Sequence, residues 1–101
     1  MERVKDRKMD AKKIYRDALD KFGADMQALV CIEEMSELQK ELCKQTRGKG
    51  HLLHIAEEIA DVQIMLDQMI MMYDLEDFVN EWRAYKLERL ENLVDSADKK
   101  E

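Results

Sequence analysis

The sequence predicts an all-α domain arranged as a four-helix bundle, and three observations carry that prediction. Proline is absent and glycine occurs only at Gly23, Gly48 and Gly50, whereas strand-rich folds draw on both residues for their turns. The abundant residues, Leu, Met, Glu, Lys, Ala and Asp, favour or tolerate helix. Apolar residues recur at steps of three and four in four segments separated by short breaks. The 101 residues suit a single domain over 1–101, with about 1–9 and 95–101 read as frayed tails. A helical chain this short buries little area per residue, so the bundle is expected to be completed by pairing into a homodimer or homotetramer.

The first helix is expected over Asp10–Lys21, with Ile14, Ala18 and Leu19 on one face and Phe22-Gly23 ending it. The second runs over Asp25–Gln45, with Asp25 near its positive end. Its apolar stripe is Ala28, Cys31 or Ile32, Met35, Leu38 and Leu42. The segment Thr46-Arg47-Gly48-Lys49-Gly50 breaks the pattern and reads as a loop. The third helix spans His51–Tyr73, with Leu52, Ile55, Ile59, Val62, Leu66 and Met69 on one face. After a turn near Asp74, the fourth covers Leu75–Val94 with Leu75, Phe78, Val79, Trp82, Tyr85 or Lys86, Leu90 and Leu93 in line. The short loop makes the second and third helices antiparallel neighbours. Eight methionines against six aromatics point to an adaptable core.

Charge and cysteine usage narrow the function. The formal net charge of −6 argues against a nucleic-acid polymer as partner. The N-terminal basic residues Arg3, Lys5, Arg7, Lys8, Lys12, Lys13 and Arg16 are interrupted by Glu2, Asp6 and Asp10, the pattern of a solvated face. Cys31 and Cys43 lie about 18 Å apart along one helix and cannot bridge within it. With no CxxC or zinc spacing, two unpaired thiols fit a reducing, cytoplasmic setting. The start is charged rather than apolar, so no secretory signal is expected. The run Val62–Met72, broken by Gln63, Asp67 and Gln68, is too polar and short to span a bilayer, so no membrane partner is expected.

A second line of residues runs beside the apolar stripe on each central helix. On the second helix it is Gln27, Val30, Glu34, Glu37 and Glu41; on the third it is His51, His54, Glu58, Asp61, Met65 and Gln68. Glu34/Glu37 and Glu58/Asp61 are i, i+3 pairs, about 5–6 Å apart at Cβ. In an antiparallel pair with axes about 8–10 Å apart, the two acid pairs can meet at one point. Convergent carboxylates repel unless a cation compensates them. Oxygen ligands on rigid helices suit Mg²⁺, or Mn²⁺, better than zinc. Mg²⁺ held by few carboxylates takes substrate phosphates as further ligands, the arrangement of phosphoryl chemistry.

The segments Glu33-Glu34-Met35-Ser36-Glu37-Leu38 and Glu57-Glu58-Ile59-Ala60-Asp61-Val62, with 20 residues between Glu37 and Glu58, resemble the EExxE…ExxD signature of the MazG-like all-α NTP pyrophosphatases. The resemblance extends over roughly Asp17 to Leu93. It implies hydrolysis of the α–β phosphoanhydride of (d)NTPs to a nucleoside monophosphate and pyrophosphate. It also implies Mg²⁺ coordination by Glu34, Glu37, Glu58 and Asp61, with Glu33 and Glu37 serving catalysis by supporting the metal or activating water. By the same resemblance, Lys86 and Arg89 on the fourth helix are expected to contact phosphates. Lys49 and Arg47 in the loop are further candidates for phosphate binding. Gln27 is a candidate for base or ribose, and Trp82 either stacks on a base or fills core. His54, one turn before Glu58, is read as a surface or supporting residue.

Three other readings compete. A phosphoribosyl-ATP pyrophosphohydrolase would share similar acids. A non-catalytic helical interaction module would use them only for solubility. A di-iron carboxylate bundle needs Glu-x-x-His pairs, and residues 48 and 51, which precede His51 and His54 by three, are Gly48 and His51.

Overall fold

The structure, a computed structural model, describes residues 9–99 and is all-α, with four helices and no strand among those residues. Helix α1 spans Ala11–Phe22, α2 Ala24–Thr46, α3 Leu52–Met72 and α4 Glu76–Lys99. The four expected segments are all present. The fourth extends five residues beyond the expected Val94, because Asp95-Ser96-Ala97-Asp98-Lys99 contains no Pro or Gly to stop it. Residues 95–99 are therefore helical rather than frayed. Arg3, Lys5, Arg7 and Lys8 lie outside the described residues, while Lys12, Lys13 and Arg16 are exposed on α1.

Each boundary has a local cause. Asp10 caps α1, its side chain accepting from the Lys13 N–H at 3.2 Å. Gly23 alone separates α1 from α2. Helix α2 ends in a Schellman motif: Gly48 N–H donates to Gln45 O at 3.0 Å and Lys49 N–H to Lys44 O at 2.9 Å, with Gly48 at φ 74°. Helix α3 ends the same way, Asp74 N–H donating to Met71 O at 3.2 Å and Leu75 N–H to Ile70 O at 2.9 Å. Here the left-handed position is filled by Asp74 at φ 54°, one of the few non-glycine types that tolerate it. Gly50 then lets the chain fold back on α2, since a Cβ there would lie 2.5 Å from Gln45 Cα.

Helices α2 and α3 pack along most of their length, α1 lies against both, and α4 touches only α3. Tyr15 fastens α1 to α3, its hydroxyl donating to Asp67 Oδ2 at 3.2 Å. The buried apolar residues are Cys31, Ile55, Val62 and Met65. Many apolar side chains remain uncovered, among them Leu52, Leu53, Phe78 and Trp82, each at least 60% exposed. The fourth helix thus projects from a three-helix body, and the molecule reaches 54 Å in its longest dimension.

The buried face of the central pair differs from the expected stripes. On α2 the inward line is Gln27, Cys31, Glu34, Leu38 and Glu41, while Ile32, Met35 and Leu42 face outward. On α3, Ile55, Val62, Met65 and Gln68 are buried, and Leu52, Ile59 and Leu66 are exposed. Two stripes a third of a turn apart carry the same period. Periodicity alone therefore does not rank them, and three helices cannot bury both.

The paired Schellman motifs give opposite expectations. Asp74→Gly removes a left-handed Cβ and should raise stability by about 1 kcal/mol, whereas Gly48→Ala introduces one and should lower it by about 1 kcal/mol. Urea denaturation of the two variants checks both signs.

Candidate metal centre

The acids meet because α2 and α3 run antiparallel through the short turn at 47–51. In such a pair, each step forward on one helix is matched by a step backward on the other. Glu34 lies opposite Asp61, and Glu37, three residues on, falls opposite Glu58, three residues back. Carboxylate oxygens of Glu34, Glu58 and Asp61 lie within 4.8 Å of one another, and all three residues are half-buried. Two of the four expected ligands on α3 and one on α2 thus converge directly. Glu37 is exposed at the edge of the group, one turn from Glu34. Glu33 is exposed, adjacent in sequence but about 100° round the helix from Glu34. Glu41 is half-buried on the same line, with Lys44 Nζ 3.7 Å from its carboxylate.

The electrostatics follow from this placement. Burial, then the charge of Asp61, then that of Glu58 push the Glu34 carboxyl above its ordinary range. Contact with Asp61 acts on Glu34 in the same direction. Burial, followed by Asp61 and Glu37, pushes Glu58 in the same direction. Glu58 Oε2 is buried with no hydrogen-bond partner. Three clustered oxygens, mutual repulsion and one orphaned acceptor together form a donor set that fits a hard divalent cation.

The remaining candidates are distributed around this centre. Gln27 is buried, 7% exposed, and its Nε2 donates to Gln68 Oε1 at 2.7 Å. Its amide faces the helix interface rather than solvent. Lys49 and Arg47 are exposed in the loop following α2. His54 is exposed and stacks on His51, with ring centroids 4.4 Å apart. Lys86, Arg89 and Trp82 are exposed along α4, which makes no packing contact with α2. Lys86 Nζ lies 5.7 Å from the Trp82 ring centroid, within cation–π range. These α4 residues lie on or beside an exposed apolar face shared with Leu75, Phe78 and Leu90, apart from the acid centre. Cys31 is sealed in the α2–α3 interface, where burial raises its thiol pKa and keeps it unreactive.

Met65 and Gln68, which continue the acid line in the sequence, are buried members of the interface. The signal for Gln68 was present: it precedes no acid on its own turn, but it stands seven residues from Asp61, as Gln27 stands seven from Glu34. Comparison with known protein families, curated proteins and solved structures finds no match for the chain. No helix among the described residues is long and apolar enough to cross a membrane.

The carboxyl shifts set a pH dependence with a definite sign. Glu34 and Glu58 titrate higher in the folded than in the unfolded chain, so the folded state retains protons that the unfolded state has lost. Their favourable contribution is complete below the ordinary carboxyl range and is lost as pH rises through the raised values. Across that window, the metal-free melting temperature of the wild type should fall relative to Glu34→Gln, whose profile lacks the Glu34 contribution. Parallel profiles in thermal melts would contradict the carboxylate coupling.

Proposed function

We propose that the chain is a Mg²⁺-dependent nucleoside triphosphate pyrophosphohydrolase that converts (d)NTPs to (d)NMPs and pyrophosphate. The observation that carries this reading is the convergence of Glu34, Glu58 and Asp61, with Glu58 Oε2 buried and without a hydrogen-bond partner. The resemblance of the two acid segments to the MazG-like pyrophosphatases supplies the reaction. Glu34, Glu58 and Asp61, joined by Glu37 from the rim, would hold the ion. When bound, Mg²⁺ supplies charge neutralisation for the triphosphate and its leaving pyrophosphate. Glu33 and Glu37, exposed beside the site, would accept the proton of the attacking water. A bond forms between the water oxygen and the α-phosphorus, the α–β bridging bond breaks, and the electron pair leaves with pyrophosphate. Arg47 and Lys49, with Lys86 and Arg89, are the basic groups assigned to phosphates, and Trp82 is the aromatic available to a base.

Association into a dimer or tetramer belongs to the same reading. Among the described residues, four buried apolar side chains make a small core, while Phe78, Trp82, Leu87, Leu90 and Leu93 stand at least 55% exposed on α4. That exposed face is also what favours a second reading, a helical interaction module without turnover. The two free thiols fit a cytoplasmic setting.

A panel of NTPs, dNTPs and phosphoribosyl-ATP incubated with Mg²⁺, following pyrophosphate release, decides between the enzyme and the module. Turnover on (d)NTPs is expected. Mg²⁺ should also raise the melting temperature, because it binds the folded state. Absence of both effects would leave the interaction module. Glu37→Gln and Asp61→Asn should each lower turnover by on the order of a hundred-fold or more while leaving the fold intact, since each removes a like charge. Lys86→Ala should raise KM or lower kcat in the same assay if α4 reaches the phosphates.

A further inference from the structure

Among the described residues the buried polar side chains are Gln27 and Gln68, and they are bonded to each other. The bond joins α2 to α3 at 2.7 Å, with Gln68 accepting through Oε1, and the Gln68 Nε2 donates to Met65 Sδ at 3.5 Å. Its position along the helix pair is specific. Moving seven residues forward from Gln27 reaches Glu34, and moving seven back from Gln68 reaches Asp61. Seven residues are two helical turns, about 10.5 Å on each helix. Because the strides are equal and opposite, the register that pairs the two glutamines also pairs the two acids.

The apolar contacts of this interface define register weakly. Its buried apolar members are Cys31, Ile55, Val62 and Met65, and Met adapts to altered neighbours. Apolar residues are abundant on adjacent stripes, as the exposed Ile32, Met35, Ile59 and Leu66 show. A slip of one turn would exchange one set of apolar contacts for another of similar size. It would also leave two buried amides without partners, a state that is strongly disfavoured. Buried polar pairs that select one register over near-equal alternatives are well attested in helical assemblies.

We propose that the Gln27–Gln68 hydrogen bond is the register pin of the α2–α3 pair and thereby the positioning pair for the carboxylates of the metal centre. The second half of this inference rests on the divalent-cation reading of the acids; the first does not. The pin acts on alignment rather than on net stability, since replacing both amides with apolar groups of similar shape removes the desolvation cost along with the bond.

The test uses the full chain with Gln27→Met/Gln68→Met and, as a second pair, Gln27→Leu/Gln68→Leu. Spin labels are placed on the native, exposed Cys43 and at Gln63→Cys, while Cys31, 3% exposed, is closed to the reagent. Samples are diluted with unlabelled protein so that only distances within one chain are read. The parent is expected to show one narrow distance distribution. The paired variants should keep helical content and melting temperature but gain a second population displaced by about one turn, about 5.4 Å along the axis. Mn²⁺ affinity, read by the free-ion signal, should fall about ten- to a hundred-fold. An unchanged distribution in a folded paired variant overturns the proposal, as does failure of both pairs to fold. If the parent binds no Mn²⁺ while the variants still slip, the pin stands and the metal reading of the acids falls.

Discussion

The molecule depends on one interface, the antiparallel packing of α2 on α3, and that interface is unusual in what it buries. Its centre line on α2 passes through Gln27, Cys31, Glu34, Leu38 and Glu41, so polar and apolar side chains alternate along the seam. Burying this line costs desolvation that an all-apolar seam would avoid. The chain had apolar alternatives within reach, since Ile32, Met35 and Leu42 occupy the neighbouring stripe and stay in solvent. A fold that turns Glu34 inward and Ile32 outward keeps the acids together at the expense of apolar burial. The raised titration of Glu34 and Glu58 is the thermodynamic trace of that arrangement.

The other helices serve this seam. Helix α1 braces it from one side through Tyr15 and Asp67. The Schellman motif at Gly48 and the close approach at Gly50 bring α3 back beside α2 within five residues. Helix α4 contributes little to the seam. It leaves α3 at Asp74 and carries its aromatic and apolar side chains into solvent, so it does little to close the single chain.

The fold class was legible because composition and period act locally: the absence of proline, the placement of three glycines and the three- and four-residue steps locate four helices to within a few residues. The acid cluster was legible because i, i+3 spacing and an antiparallel hairpin are geometric. What the sequence left open was rotation about each helix axis. Cys31 and Ile32 are equivalent to a periodicity argument, and choosing between them is a tertiary decision made by what α3 presents in return. Gln27 shows the same ambiguity: the sequence places it on the acid line, and Gln68, forty-one residues away, holds its amide inside. The end of α4 was missed for a simpler reason: charged, small residues such as Asp95 and Ser96 are compatible with helix when nothing breaks it.

The equal strides on either side of the seam bear on how such a chain can change length. A residue inserted or lost between Gln27 and Glu34, or between Asp61 and Gln68, rotates everything beyond it by about 100° and shortens one stride against the other. The amides and the acids can then no longer face their partners together. A residue added in the turn at 47–51 perturbs the Schellman motif at Gly48 but leaves both strides intact. Length variation among descendants of this sequence should therefore collect in the turn and spare the two seven-residue spans, which behave as fixed rulers within an otherwise substitutable pair of helices.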